Sequence, residues 1–387
     1  MKQRTSKITA FVILFFVATI TSRAQDAINI VTTSVPFLRI SPDARAGGMG
    51  DVGIATSPDA NSIFWNAAKA PFASSNGMIS ATYTPWLKDI AQDVYLATLA
   101  GYYKLDDEQA LSASLRYFNL GDIQFTDFSG TELSKGRPRE YSLDFGYSRK
   151  LSDNLGIGVT LRYINSSLAN GFSNNGVTYK PGQTVSGDLS LYHTGLNEEG
   201  QGLTWGISLS NLGGKIGYTD NANAKDFIPA NAGVGLAYTW AFNEINKFTL
   251  AGDLNHLLVP ATPFPTGDDT QDQENLDKYR NQSVFESWFK SFNNKAYQLS
   301  LGAEFNYNDQ FSVRAGYFYE PKDAGNRKYL TVGLGLKYEA FGFNFSYLAP
   351  SGNGITRNPL SNTLRFSLIF DLDAANAGGD TSTGSEE

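Results

Sequence analysis

From Gly77 onward the chain alternates apolar and polar positions with little drift. In Leu155 to Tyr163, the residues Leu155, Ile157, Val159, Leu161 and Tyr163 share one face, and Gly156, Gly158, Thr160 and Arg162 share the other. Tyr141, Leu143, Phe145 and Tyr147 oppose Ser142, Asp144 and Gly146 in the same way, and Leu364 to Leu372 repeats it. A period of two is the signature of a strand with one greasy and one wet face. About fourteen such segments, each near the ~9–11 residues that cross a bilayer at a tilt, fit between residues 77 and 372. Their connections differ by parity. Those at Asp106-Asp107-Glu108, Ser152-Asp153-Asn154, Asn243 to Asn246, Asn308-Asp309-Gln310 and Glu339-Ala340 are tight and polar, with Gly195 to Gly202 looser. Between them run long ones, near 121–139, 168–184, 213–230, 259–295, 320–327 and 349–362. A β-sandwich also alternates, but it has no reason to segregate loop lengths. The pattern predicts an all-β, antiparallel transmembrane barrel with short periplasmic turns and long outer loops.

One stretch refuses every period. Residues 36–72, PFLRISPDARAGGMGDVGIATSPDANSIFWNAAKAPF, are rich in Gly and Ala and carry Arg45, Asp51, Asp59, Asn61, Trp65 and Asn66 without a sustained apolar stripe. Such a segment needs a surrounding wall, so residues 25–76 are predicted to plug the lumen. An even strand number then puts both termini at the periplasmic end, and the acidic, small-residue tail 373–387 is expected to be disordered.

Composition sharpens this picture. Aromatics are 13% of the 387 residues and charged residues only 18%, while mean hydropathy is −0.26, a combination that suits a barrel in which only alternate residues meet lipid. Trp86, Tyr102, Tyr103, Tyr238, Trp240 and Tyr338 are expected in the interfacial girdles. Residues 1–24 read as a secretory signal: Lys2, Arg4 and Lys7, an apolar run from Ile8 to Ile20, then Ser22-Arg23-Ala24. Removing its four basic residues takes the formal charge from −7 to about −11, which disfavours nucleic acid as a partner. With no Cys, disulfides and thiolate metal sites are excluded.

Candidate chemistry is sparse. Gly48-Met-Gly-Asp-Val-Gly53 matches a dinucleotide-binding string, but no strand leads into it and no core helix follows. His193 and His256 each sit in a predicted strand, and Ser190 lies three residues from His193, on the opposite face. Asp268, Asp269, Asp272, Glu274 and Asp277 lack the spacing of a known Ca²⁺ loop. No catalytic, cofactor or metal site is expected. Lumen-facing charges, namely Arg116, Arg162, Asp144, Glu304, Lys337 and Arg365, are expected to pair with one another or with Arg45, Asp51 and Asp59 of the plug. The longest loop, 259–295, places Phe285, Trp288, Phe289 and Phe292 on one face of a predicted helix. These four either pack on the barrel rim or anchor a partner protein or the outer leaflet, and they are the candidate partner-binding loop.

The run Asp43-Ala-Arg-Ala46, Met49-Gly50, Gly53, Ala55, Asp59-Ala60 and Asn66-Ala67-Ala68, after a secretory signal and before a strand series, resembles the long-chain fatty acid transporter superfamily of outer-membrane barrels. PFLRISPDARAGGMGDVGIAT and SIFWNAAKA look more closely like its PorV (LptO) branch, found in the Bacteroidetes type IX secretion system. Many members of that branch have Asn-Pro-Ala where this chain has Asn66-Ala67-Ala68, a change confined to the local turn. The resemblance implies a fourteen-stranded wall around an N-terminal hatch. It also implies binding of the C-terminal signal domains of exported cargo, association with a very large translocon barrel, and delivery to a sortase-like attachment complex. Two other functions compete. A transporter of hydrophobic small molecules would use Phe37, Leu38, Phe64, Trp65 and Phe72 as pocket lining, and an outer-membrane lipid hydrolase would need a nucleophile and base at the rim.

Overall fold

The computed structural model describes residues 31–86, 93–126, 129–174, 176–221, 224–350 and 362–379. The predicted signal (1–24), the first residues of the predicted plug and the end of the tail lie outside them. Among the described residues, fourteen antiparallel strands close a barrel. They are β1 (Gly77–Pro85), β2 (Val94–Lys104), β3 (Gln109–Leu120), β4 (Arg139–Lys150), β5 (Leu155–Ser167), β6 (Gly182–Leu196), β7 (Gly202–Gly213), β8 (Asn231–Ala241), β9 (Asn246–Leu257), β10 (Tyr297–Tyr307), β11 (Phe311–Tyr319), β12 (Lys328–Tyr338), β13 (Phe341–Pro350) and β14 (Leu364–Asp371). Every neighbour in the wall is the next strand in sequence. The last closes on the first, with Met78 opposite Asp371 and Tyr83 opposite Phe366, so no edge is left to pair elsewhere.

Alternation decides which way each side chain points. Ser112, Ser114 and Arg116 of β3 are buried in the lumen, whereas Leu111 and Leu115 face out; Phe145 and Leu161 are two-thirds exposed on the lipid face. Two girdle expectations fail for this reason. Tyr102 and Tyr103 are consecutive and cannot share a face, and it is Tyr102 that turns inward, its hydroxyl donating to the Ser75 carbonyl at 3.1 Å. Trp86 is also buried, edge-on to Phe118 inside the barrel. Short and long connections alternate, and the short ones carry turn chemistry: Asn308 and Asp309 both have positive φ (56° and 51°), as a mirror-type hairpin turn requires. The longest outer loop folds into α3 (Asp269–Asn281) and α4 (Val284–Lys290), labels that follow the plug helices α1 (Ala44–Gly48) and α2 (Ser62–Trp65).

The plug runs the length of the lumen. Val31 packs at the long-loop end with Phe227, Val259 and Tyr279, and the Ser34 amide donates to the Phe227 carbonyl at 3.0 Å. Phe37 and Leu38 then pack among Leu96, Phe118, Phe318 and Leu348 near the outer ends of the strands. Ala70 and Ala73 meet Tyr102 and Ala110 near the short-turn end, one step before β1 begins. The strands therefore start and finish at the short-turn end as expected, but the first described residue does not. It lies at the opposite mouth, and from there the described chain descends to β1.

The start of the acidic tail also departs from expectation. Leu372–Gly379 is a short helix, α5. Its Asp373 carboxylate accepts from the Asn76 amide at 2.7 Å, and the neighbouring Asp371 accepts from Ser75 Oγ at 2.6 Å. Composition alone predicts disorder, but these contacts to the plug exit give the segment a place to order.

Candidate functional site

The candidate site is the interface between plug and wall. It begins with close approach of backbones. At Gly50, where φ is +71°, an added Cβ would stand 2.7 Å from Tyr317 N, and one on Gly316 would stand 2.1 Å from Gly50 N. Only glycine fits both positions. Thr331 of β12 sits between the strands of contact: it accepts from the Gly50 amide (2.8 Å) and donates to the Gly48 carbonyl (3.0 Å). The glycine string that matches a nucleotide site is thus occupied by the barrel wall.

Ion pairs then lock side chains. The Arg45 guanidinium donates to both Glu304 oxygens (3.1 and 2.9 Å) and to Asp59 (3.0 Å), with further bonds to Ser57. Glu304 also accepts from Arg314 at 2.6 Å, and Arg314 reaches Asn344 at 2.8 Å. Two cations share one buried carboxylate, a bidentate geometry in which each charge is needed by the next. Asp51, at φ +62°, accepts from the Tyr329 hydroxyl at 2.6 Å and lies 3.4 Å from Arg365. Asn66 spends both amide protons on the carbonyls of Ile54 and of Leu191 in β6, while its oxygen accepts from Ala68 N. Trp65 Nε1 donates to Asp43, which also caps α1 through Ala46 N, so the two plug helices are tied together. Asn61 makes the weakest wall contact of the set, 3.4 Å to Ser80.

Other locks come from residues that strand alternation does not single out. Asp253 of β9 accepts from the amides of Gly53 and Ile54, and the fully buried Lys69 donates to the Gly53 carbonyl at 2.6 Å. Among the described residues Arg116 meets no carboxylate. Its guanidinium donates to the Phe37 and Ile40 carbonyls and lies 4.6 Å from the Phe64 ring centre. Outside the membrane span, Arg39 (2.8 Å) and Arg327 (2.6 Å) clamp Glu320. Burial pushes this carboxyl up, but Arg327 and Arg39 outweigh burial and hold it below the ordinary carboxylate range. Arg162 staples the wall itself, bonding Asp144 at 2.7 Å and Asp188 at 2.9 Å, and Lys337 reaches Asp371 at 3.0 Å.

A small cavity of mixed lining lies at this interface. It holds about 80 Å³ between plug and wall, bordered by Arg39, Asp51, Arg162, Asn211, Asn255 and Gln298 as well as Leu38, Phe64 and Trp65. Small-molecule sites usually enclose about 300–1,000 Å³ with mostly apolar walls. Neither histidine joins a catalytic arrangement. Ser190 Oγ accepts from Ala68 N inside the lumen, whereas His193 stacks on Trp205 with ring centres 5.3 Å apart on the other face of the wall. Among the described residues no group of three His, Cys, Asp or Glu could hold a metal ion. In the acidic loop, Asp268 caps α3 through the amides of Thr270 and Gln271, and Asp272 accepts from Thr266, so both act within the loop.

At the outer rim, Ser283 caps α4 by accepting from Glu286 N. Ser287 and Ser291 are buried, Trp288 is half-buried, and Phe285, Phe289 and Phe292 are each about two-thirds exposed. Phe285 contacts Phe289 and Trp288.

A model of the family described as type IX secretion system protein PorV matches residues 22–264, which include the whole plug and β1–β9. The chain belongs to the PorV family. It is therefore an outer-membrane component of the type IX secretion system. No curated protein matches this PorV-family chain. Solved structures do. The toluene transporter TbuX of Ralstonia pickettii is similar over 85% of this chain and 97% of its own, at 11% identity and a TM-score of 0.52. The toluene transporter TodX of P. putida follows, with 85% and 96% coverage, 13% identity and a TM-score of 0.50. At such identities the likeness speaks for the barrel fold alone.

Proposed function

We propose that this PorV-family barrel binds the C-terminal signal domains of secreted cargo, associates with the large translocon barrel, and passes cargo to the sortase-like attachment complex without conducting anything itself. The observation that carries this reading is the filled lumen. A plug is tied to the wall by the Arg45–Glu304–Arg314, Asp51–Tyr329 and Asp253–Gly53 contacts, and a cavity between them holds only about 80 Å³ with charged residues on its border, so work on large substrates falls to the outside of the molecule. The lipid-facing wall and the outer loops, apart from the exposed aromatic face of α4, are the surfaces available for those partners. No step of this reading needs a nucleophile, a metal or a cofactor, and it is a non-enzymatic role.

The alternative, transport of a hydrophobic small molecule, is favoured only by the fold shared with toluene transporters. It needs an apolar cavity where this lumen has charges. Liposomes carrying the full chain distinguish the two. The secretion reading expects no accelerated uptake of a monoaromatic hydrocarbon and saturable binding of isolated cargo C-terminal domains. Hydrocarbon uptake without domain binding would overturn it.

A further inference from the structure

The lipid face of the barrel has an aromatic ring near the long-loop ends of its strands. Tyr83, Tyr95 and Tyr117 follow one another on β1–β3 with ring centres 5.4 and 6.3 Å apart, and Tyr141 and Tyr163 continue on β4 and β5 at 6.2 Å. The ring resumes with Tyr297 and Tyr319 on β10 and β11, and Phe345 and Phe366 bring it back toward Tyr83. Its widest interruption lies over β6–β9, where the outward positions at this level are Val185, Leu209, Ala232 and His256. Tyrosines in such rings sit at the headgroup level, apolar body inward and hydroxyl in water.

The α4 segment borders that gap. Phe292 lies flat on His256, with ring centres 5.2 Å apart and planes 11° apart, and His256 Nε2 lies 3.2 Å from the Ser291 carbonyl. His256 is an outward residue, directly opposite Tyr297 of the ring. At 3.6 residues per turn the segment divides into three sectors. Val284, Ser287 and Ser291 form the least exposed sector; Phe285, Trp288, Phe289 and Phe292 form one aromatic sector; Glu286 and Lys290, paired at 2.7 Å, form a charged sector beyond it. Phe292 of the aromatic sector touches the membrane-facing side of β9 through His256, and the charged pair lies on a separate sector.

We propose that α4 and the turn that follows it form an interfacial anchor, with Phe285, Phe289 and Phe292 inserted at the headgroup–acyl boundary of the outer leaflet, completing the aromatic ring over the gap. The occupant is lipid, because the exposed aromatic face extends an already lipid-facing surface and carries its charges on a separate side, as an interfacial helix does. This does not depend on the secretion reading, since a transporter would need the same anchor.

The chain has no Cys, so single labels are unambiguous. Phe289→Cys and Glu286→Cys, each carrying an environment-sensitive fluorophore, are placed in the full-length protein in phosphatidylethanolamine–phosphatidylglycerol vesicles with and without lipid nitroxides at shallow depth. Heat-modifiable gel migration verifies folding, and Phe285→Cys serves on the same face if Phe289→Cys does not fold. The expected result is a blue-shifted label on the aromatic face, quenched about threefold or more beyond the label at position 286, with no other protein present. Equal, weak quenching at both positions would overturn the proposal. So would a label at 289 that lipid leaves untouched and only added cargo domain or translocon shields, since that outcome gives the face to a protein.

Discussion

Removing the shared carboxylate of the plug is the sharpest perturbation the lumen offers. Glu304→Gln keeps the side-chain volume, but it leaves Arg45 and Arg314 facing each other without the anion that accepts three of their N–H groups. Breaking one partner out of a buried ion pair costs about 3–5 kcal/mol. The lower end applies here, because Arg45 keeps Asp59 at 3.0 Å and about 16% side-chain exposure. A loss of about 3 kcal/mol raises the population of plug-detached states by roughly 150-fold. Amide exchange read by mass spectrometry on reconstituted protein follows that population. Peptides covering 43–60 are expected to exchange roughly two orders of magnitude faster in Glu304→Gln, with the strands of the wall nearly unchanged. The double variant Glu304→Met/Arg314→Met should recover part of the loss, because it removes the shared anion together with the cation that has no other carboxylate in contact, while Arg45 keeps Asp59. Acceleration of less than about tenfold, or strict additivity in the double variant, would refute the reasoning that this carboxylate is an energetic latch on the plug.

Three further outcomes follow from the same contacts. Gly316→Val, whose Cβ would stand 2.1 Å from Gly50 N, should abolish the heat-modifiable folded band, whereas Gly187→Ala, with nearest contacts at 3.4 Å, should migrate as the parent does. The Glu320 clamp lies below the ordinary carboxylate range in the folded protein, so its contribution is fully present above the unfolded-state pKa and is lost only as pH falls through the lower folded value. Protease nicking of residues 31–41 should therefore stay slow through the ordinary Glu range and rise below it, and Glu320→Gln should remove the step. Because Val31 lies at the long-loop mouth, Thr32→Cys in intact cells should react with a membrane-impermeant maleimide while Asp153→Cys, in a short turn, should not. The reverse pattern would invert the orientation.

The barrel was legible in the chain because a membrane wall imposes one rule on every strand. Leu155 to Tyr163 and Tyr141 to Tyr147 cannot alternate so cleanly unless one face meets lipid and the other does not. Loop parity added orientation without any knowledge of register. The plug stood out by lacking a period, but nothing in its sequence says which wall residue it meets. Asp253 and Thr331 are each one polar residue among many on the lumen face, and their roles arise only when Gly53 and Gly50 arrive beside them. Arg116 reads as a charge in need of a carboxylate, yet three-dimensional closure offers it carbonyls and the Phe64 ring. The direction of the plug was hidden for a related reason. Strand parity fixes where β1 begins, not where the segment before it comes from, and the Ser34–Phe227 bond at the outer mouth is a contact between distant parts of the chain. The rim aromatics were visible as a helical face, while their setting depended on His256 pointing outward, a consequence of register.

The proposed function has a plugged barrel serving secretion through its outer surfaces. A tagged purification from native outer membrane in mild detergent, with mass spectrometry of co-purifying proteins and of extracted small molecules, tests it most directly. The account predicts a very large outer-membrane barrel together with secreted proteins that share a C-terminal domain. Recovery of the protein alone, with a hydrophobic small molecule bound in its lumen, would contradict it.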